Sequence, residues 1–253
     1  MRIALMADVH ANREALEACL VHAGAHGVDR CIFLGDYVGY GADPEWVVEK
    51  IMEHVSRGGL ALLGNHDAAV ANHRETFEAP AQNAIEWTRG QLGPEHRAFL
   101  SGLRLTWEEE GRLYVHADAA APQRWTYVNQ GSDATRSMRA TSCRTTFVGH
   151  VHKPAIYSMS EMWNSTSDMW KVVAFRPVPG VPVPLLSQRR WLAVLGSVGQ
   201  PRDGVPAASY AVFDPGRSEI TYYRVPYDVE AAAAKIRGAG LSEVLADRLR
   251  SGR

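Results

Sequence analysis

Five short apolar runs within the first 150 residues are each followed, within two residues, by a side chain with an oxygen or imidazole group. The runs are Ile3 to Met6, Cys31 to Leu34, Leu60 to Leu63, Leu113 to Val115, and Phe147 with Val148. Runs of this length that are bounded by turn or helix signals are typical of buried strands. The repeated pattern of strand and polar end predicts an α/β fold whose polar residues gather at the strand ends.

The segments between these runs carry helix signals. Asn12 has the residue type of an N-cap, and Leu16 and Cys19 have the spacing of an apolar helix face. Asp43 followed by Pro44 predicts the start of a second helix. We therefore expect two successive βαβ units.

A helical insertion is predicted at about 80–103, where Gly93 and Pro94 divide the pattern into two helices. An insertion of this kind can form the wall of a cleft. The length and composition of the chain favour a single domain over residues 1–253.

The C-terminal part predicts three more strands and a last helix. The strands are expected in a second sheet, at Trp191 to Leu195, Ser209 to Phe213, and Ile220 to Val225. Asp228 has the residue type to cap a final helix that ends at about Leu249. The segment 158–171 has no clear periodicity and is assigned only to a loop or hairpin.

The overall charge argues against a large nucleic-acid interface, because 27 Lys and Arg are balanced by 28 Asp and Glu. Cys19, Cys31 and Cys143 fit neither a disulfide framework nor a Cys-x-x-Cys site, so we expect a reducing cytoplasm. Asp8 and His10 interrupt the N-terminal apolar run, and no membrane segment is predicted. The oligomeric state stays open.

The residues that follow the five runs form an ordered series of candidate ligands. The series is Asp8-x-His10, Gly35-Asp36, Gly64-Asn65-His66-Asp67, His116, and Gly149-His150-x-His152. Taken singly, each motif has an ordinary structural explanation as a helix cap, a turn or a core histidine. Five coincidences at five strand ends are harder to explain in that way, which favours a shared site.

This series resembles the signature of the calcineurin-like metallophosphoesterase superfamily. The later segment 196–203 resembles a loop of bacterial diadenosine-tetraphosphatase-like enzymes and small phosphodiesterases. The resemblance implies two packed mixed β-sheets flanked by helices, a four-layer αββα sandwich. It also implies a hydrolase with two metal ions, and it extends over nearly the whole chain.

The resemblance assigns the ligands of both ions. One ion is expected to bind Asp8, His10, Asp36 and His152, and the other Asp36, Asn65, His116 and His150. Asp36 would bridge them, since a carboxylate has two anionic oxygens. A donor set of nitrogen and oxygen without thiolate favours Mn, Fe, Zn, Ni or Co, and the resemblance favours Mn.

The implied mechanism is attack on phosphorus by a hydroxide that bridges the two ions. His66 would face the leaving-group oxygen and donate a proton, and Asp67 would orient its ring. Tyr40 is either a rim residue that stacks on a base or simple loop packing. Arg202 either binds an outer phosphate or pairs with Asp203.

Substrate choice is less constrained than the centre. The first expectation is a small phosphodiester or a dinucleoside polyphosphate as substrate. The alternatives are a phosphomonoesterase or protein phosphatase, a nuclease, which the neutral composition disfavours, and a non-catalytic interaction scaffold. The chain departs from close relatives at 117–121, after His116, and at Val194 and Leu195, and both differences affect substrate choice rather than ligands.

Overall fold

The computed structural model describes residues 1–72, 77–162 and 169–253. The described strands are β1 (Ile3–Met6), β2 (Arg30–Phe33), β3 (Leu60–Ala61), β4 (Thr106–Glu109), β5 (Arg112–Val115), β6 (Thr145–Val148), β7 (Ala155–Met162), β8 (Met169–Phe175), β9 (Val183–Pro184), β10 (Arg190–Val194), β11 (Ala208–Asp214) and β12 (Glu219–Val225). The described helices are α1 (Arg13–Ala25), α2 (Pro44–Ser56), α3 (Asn65–Asn72), α4 (Ala79–Gln91), α5 (Pro94–Ser101), α6 (Gly131–Arg139), α7 (Val229–Gly238) and α8 (Glu243–Ser251). A 3-10 turn covers Pro122–Arg124.

These strands form two mixed sheets. The first has the order β3-β2-β1-β11-β12-β9, and the second has the order β4-β5-β6-β10-β7-β8. Strands β1, β2 and β3 run parallel to one another, as do β5, β6 and β10, while the remaining pairs are antiparallel. The predicted pair of mixed sheets flanked by helices is confirmed.

Side chains of each strand alternate between two cores, as the pleat of a strand requires. Ile3 and Leu5 lie in the core between the sheets, whereas Ala4 packs on the other face of the first sheet with apolar residues of α1 and α2. In the second sheet Phe147 faces inward and Val148 packs against α6. Helices, sheet, sheet and helix therefore form the expected four layers.

The expectation that the last three strands share a second sheet is wrong for two of them. Strand β11 pairs antiparallel with β1, with Ile3 opposite Phe213, and β12 extends that first sheet. Only β10 enters the second sheet, between β6 and β7. Apolar alternation identifies a strand, but it does not specify which neighbour satisfies its backbone.

The predicted final helix is two helices. Asp228 caps α7 as expected, because its Oδ1 accepts the N–H of Ala231 at 2.9 Å. Gly240 then adopts φ +69°, a left-handed conformation that ends the helix before α8 begins.

The other local expectations concern the insertion and the unassigned segment. Helices α4 and α5 occupy the predicted helical stretch, and α5 begins at Pro94. Within 158–171, the described parts belong to the antiparallel pair β7 and β8, and residues 163–168 lie outside the described ranges. No helix in the described parts of the chain is long and apolar enough to cross a bilayer. All three cysteines are free and buried.

Two helix caps, Asn12 of α1 and Asp228 of α7, offer a matched test of stability. Asn12 caps α1 by accepting the N–H of Ala15 at 3.1 Å, and its Nδ2 also donates to the buried carbonyl of Gly199 at 2.8 Å. Asn12→Ala should lower the free energy of unfolding by about 2–3 kcal/mol, because it removes a cap and leaves a buried carbonyl without its partner. Asp228→Ala removes only a cap and should cost about 1 kcal/mol. Denaturant unfolding in the presence of a chelator measures both losses, and equal losses would contradict the role of the Gly199 contact.

Candidate metal centre

The predicted ligands are carried by loops at the ends of five strands from both sheets. Asp8, Asp36 and Asn65 follow β1, β2 and β3 of the first sheet, whereas His116 and His150 follow β5 and β6 of the second. The ligands therefore come from two sheets whose carboxyl ends meet. The structure shows the predicted convergence of these side chains on one place.

Three buried groups of ligand-type side chains overlap among the described residues, and one of them contains His66 together with His10 and Asp36. The other two consist of predicted ligands alone: the first group is Asp8, His10 and His152, and the second group is Asp36, His116 and His150. In each group the potential ligand atoms lie within 4.8 Å of one another. In the first group, Nε2 of His152 lies 3.2 Å from Oδ1 of Asp8 and 3.2 Å from Nε2 of His10. Each group has the size and the mixed donors of a transition-metal site.

Asp36 belongs to the second group and also lies close to the first. Its Oδ2 is 3.8 Å from Nε2 of His10 on one side and 3.4 Å from Nε2 of His116 on the other. Oδ1 of Asn65 lies 3.1 Å from the same nitrogen of His116, which adds a neutral oxygen to the second group. Asp36 is thus the carboxylate within reach of both groups.

A backbone carbonyl fixes the second ring nitrogen of each of the four histidines. The four contacts are Nδ1 of His10 with Val38 O at 3.1 Å, Nδ1 of His116 with Leu34 O at 2.6 Å, Nε2 of His150 with Trp125 O at 2.8 Å, and Nδ1 of His152 with Gln200 O at 2.6 Å. A carbonyl only accepts, so each ring donates its N–H there. In the neutral ring the other nitrogen then carries the lone pair toward the centre.

Burial and neighbouring charges set the protonation of these rings. Burial lowers the pKa of His10 well below its usual value and that of His150 to about 3. Burial acts in the same direction on His116, but the carboxylate of Asp36 outweighs it and raises the pKa of His116 to about 9. The pKa of Asp36 is held well below its usual value by His116, against the opposing effect of burial. A cation that binds His116 must therefore displace a proton.

The backbone at the centre is strained. Five of the predicted ligands have left-handed φ values, namely Asp8 at 56°, His10 at 49°, Asp36 at 58°, His150 at 66° and His152 at 62°. L-residues other than Gly visit this region rarely, and Asp, Asn and His are the usual exceptions. Clusters of such residues are typical of functional sites.

Two glycines permit the close approach of the ligand loops. A Cβ on Gly149 would lie 2.6 Å from Cβ of Ala7 and 2.8 Å from Oδ2 of Asp8. A Cβ on Gly64 would collide with the backbone nitrogen and Oδ1 of Asp36. Both positions therefore need glycine so that loops of the two sheets, and of neighbouring strands, can pack together.

The expectation that Asp67 orients the ring of His66 is wrong. Its carboxylate instead accepts the N–H groups of Asp36 at 2.7 Å, Tyr37 at 2.8 Å and Gly64 at 3.0 Å. Nδ1 of His66 is buried and has no hydrogen-bond partner in the described structure. Asp67 is thus a positioning residue that ties the Asp36 loop to the start of α3.

His66 stands in the first turn of α3, beside the first group. Its backbone N–H donates to Oδ1 of Asp36 at 2.9 Å. Its ring centroid lies 4.8 Å from that of His10, 4.5 Å from Tyr40 and 4.6 Å from Phe77. This ring is therefore held against the centre by aromatic packing rather than by a carboxylate.

Tyr40 is not at the rim. Its side chain is 8% exposed and packs between the rings of His10 and His66, with centroid distances of 4.5 Å to each. The structure favours the packing interpretation over stacking on a base.

Arg202 is not paired with Asp203, whose carboxylate binds Arg176 and Arg224 instead. The guanidinium carbon of Arg202 lies 5.6 Å from the ring centroid of Tyr40, and its Nη2 donates to Oε1 of Gln200 at 3.1 Å. The alternative in which Arg202 is engaged by Asp203 is therefore ruled out.

Two aromatic residues after His116, Trp125 and Tyr127, were not predicted as part of the site. The ring of Tyr127 stacks on His150 with centroids 4.1 Å apart and an angle of 12°, and the residue is 45% exposed. Trp125 supplies the carbonyl that binds His150. A backbone carbonyl has no residue-type signal, although two aromatic residues soon after a candidate ligand are a signal that could have been used.

A further group of ligand-type residues lies elsewhere in the described chain. Glu45, Glu49 and His96 are close enough to hold an ion, but both glutamates are exposed and no buried group supports them. Exposed carboxylates of this kind are ordinary on helix surfaces.

Comparison with known proteins agrees with this geometry. The model of the calcineurin-like phosphoesterase superfamily domain matches residues 1–217. The chain belongs to the calcineurin-like phosphoesterase superfamily. It is therefore a metal-dependent phosphoric ester hydrolase, and the interpretation as a non-catalytic scaffold is set aside.

Relatives of this phosphoesterase cover its whole length. It is 34% identical over 266 residues to the uncharacterized protein MJ0912 of Methanocaldococcus jannaschii, covering 99% of this chain and 98% of that protein. A metallophosphoesterase from Sphaerobacter thermophilus is 35% identical and covers 100% of both chains with a TM-score of 0.86. The hypothetical protein PH1004 from Pyrococcus horikoshii covers 100% of this chain and 98% of its own at 18% identity, with a TM-score of 0.79, a likeness of fold.

Asp67→Asn tests the positioning role. The amide keeps the size of the side chain but replaces one acceptor oxygen by a donor that faces backbone N–H groups. We expect the free energy of unfolding to fall by about 1–3 kcal/mol and the affinity for added Mn²⁺ to fall with it. Chelator competition measures the affinity. Unchanged affinity with a large loss of turnover would instead indicate that Asp67 acts on the reaction.

Proposed function

We propose that this calcineurin-like phosphoesterase is a dinuclear enzyme that hydrolyses phosphodiesters or dinucleoside polyphosphates. The observation that supports two ions is the pair of buried groups with Asp36 within 3.8 Å of a histidine in each. One ion would bind Asp8, His10, Asp36 and His152, and the other Asp36, Asn65, His116 and His150. A single ion would leave one group of buried histidines and carboxylate without the cation that would compensate for their burial.

The donor set fits divalent transition metals. The side chains are carboxylate, amide and imidazole, all buried, and no thiolate is among them. Such donors favour Mn, Fe, Co, Ni or Zn over Mg or Ca, and we propose Mn first. The second ring nitrogen of each histidine already donates to a carbonyl, which is the outer arrangement that metal-binding histidines need.

When bound, two such ions would lower the pKa of a water between them and neutralise the oxygens of a phosphate. The protein's own part is to hold the phosphate in line and to assist the departing oxygen. His66 lies next to His10 and is anchored through its backbone to Asp36. We assign it the role of proton donor to the leaving group, without help from Asp67.

The preference for a substrate with more than one charged or ester group rests on Arg202. Its guanidinium adds a positive charge beside Tyr40, next to the centre, without a carboxylate partner in the described structure. A comparison of bis-p-nitrophenyl phosphate, p-nitrophenyl phosphate and diadenosine tetraphosphate tests this, with Mn²⁺ added after chelation. Faster cleavage of the monoester than of both others would favour the phosphomonoesterase alternative.

His66→Ala tests the proton donor. A general acid typically contributes ~10²–10⁴-fold to the rate, so turnover of bis-p-nitrophenyl phosphate should fall by about that factor while metal content stays the same. His96→Ala, in the partly exposed group outside the centre, is the matched control and should change neither quantity. A His66→Ala enzyme with undiminished turnover would remove His66 from the mechanism.

Asp36→Ala tests the bridge. Loss of the shared carboxylate should weaken both ions, so elemental analysis after dialysis should find little of either. Asp43→Ala is a suitable control, because Asp43 pairs with Lys235 at 2.8 Å in the loop before α2 and should leave metal content unchanged. Two tightly held metals in the Asp36 variant would rule out the bridging role.

A further inference from the structure

A groove with cationic walls lies beside the metal centre. Its volume is about 910 Å³, and it is lined by Lys153, Pro154, Ala155, Ala174, Phe175, Arg176, Arg202, Asp203, Gly204 and Arg253. This volume is within the range of pockets that hold small organic ligands. The groove shares no lining residue with the predicted metal ligands, so it is a separate feature of the surface.

Positive charge predominates among the residues that line the groove. Lys153, Arg176, Arg202 and Arg253 contribute cationic side chains to its lining, and Asp203 contributes a carboxylate. That carboxylate is already shared between Arg176 and Arg224. In a chain with 27 basic and 28 acidic residues, this concentration of positive charge is local rather than general. It favours an anionic ligand.

Arg202 connects the groove to the centre. Its backbone N–H donates to the carbonyl of His152 at 3.2 Å, and Lys153 follows His152 directly in the chain. The guanidinium lies 5.6 Å from the Tyr40 ring, which packs on His10 and His66. The groove and the centre are therefore within electrostatic reach of each other.

Nε of Arg202 is buried and has no hydrogen-bond partner in the described structure. A buried donor without a partner is costly unless a ligand or water satisfies it. The lining also includes the apolar residues Pro154, Ala155 and Phe175, and Phe175 is 39% exposed. Cationic groups next to an accessible aromatic ring suit a phosphate that carries a flat organic group.

We propose that this groove binds a second phosphate group of the substrate, beyond the one that lies at the metal centre. The proposal rests on the proposed phosphoesterase function and makes it more specific. Arg202 contacts this second phosphate. Lys153 and Arg176 bind the phosphates that follow it in the substrate. The substrate class is accordingly a polyphosphorylated organic compound, of which a dinucleoside polyphosphate is the test case.

Lys153→Gln and Arg176→Gln test the groove on the full-length, Mn²⁺-loaded enzyme. The measured quantity is kcat/KM for diadenosine tetraphosphate divided by kcat/KM for bis-p-nitrophenyl phosphate, at low ionic strength. Each variant should lower this ratio about fivefold, because one exposed ionic contact contributes up to about 1 kcal/mol. Lys171→Gln is the matched control and should leave the ratio unchanged. Lys171 is exposed on β8, about 17 Å from Arg176, which directly follows that strand.

The outcomes separate the two proposals. A wild type that cleaves bis-p-nitrophenyl phosphate but not diadenosine tetraphosphate overturns the groove alone, and so does a ratio that Lys153→Gln and Arg176→Gln leave within twofold of wild type. A wild type that cleaves neither overturns the proposed function. Calorimetry with inorganic tripolyphosphate on the chelator-treated full chain then decides the groove. Binding that Lys153→Gln weakens supports it, and absence of binding overturns it.

Discussion

The metal centre depends on hydrogen bonds between backbone groups and the side chains around the ligands. The carboxylate of Asp67 accepts four backbone N–H groups and thereby fixes the turn that carries Asp36. Carbonyl groups hold the four histidine rings from the opposite direction. Because the partners are backbone atoms, the positions of the ligands are set by the paths of the loops. Ligand identity alone would not be enough to build this centre.

Those loop paths follow from the packing of two sheets. Ligands after β1, β2 and β3 meet ligands after β5 and β6 only because the inward faces of both sheets share one apolar core. A Cβ on Gly149 would overlap with Cβ of Ala7 across that junction, so the loops approach this closely only with glycine there. The centre is therefore built at a seam between layers rather than at the edge of one sheet. The same seam leaves room at its side for the cationic groove.

The sequence predicted the secondary-structure elements and the ligand residues better than it predicted strand pairing and side-chain contacts. Apolar runs identified the five strands that precede the ligands, and capping residues such as Asn12 and Asp228 identified helix starts, because those signals are local. Strands β4 and β9 were not predicted. The pairing of β11 with β1 could not be derived, since many partners would satisfy the same alternation. The contact of Asp67 with the Asp36 loop was also not predicted. The sequence does not show which of several nearby backbone N–H groups a carboxylate will bind. Tyr127 escaped notice because its contact with His150 is distant in sequence.

The left-handed backbone at the centre limits which residues can replace the ligands. Asp8, Asp36 and His152 have φ values near 60°, where a β-branched residue is an outlier and Asn or Asp is tolerated. A substitute at these positions must therefore meet two requirements. It must offer a metal-binding donor atom, and it must adopt a positive φ angle. An engineer who wishes to exchange one metal for another has a short choice of donors here, mainly Asp, Asn and His, and thiolate designs would have to rebuild the turn as well.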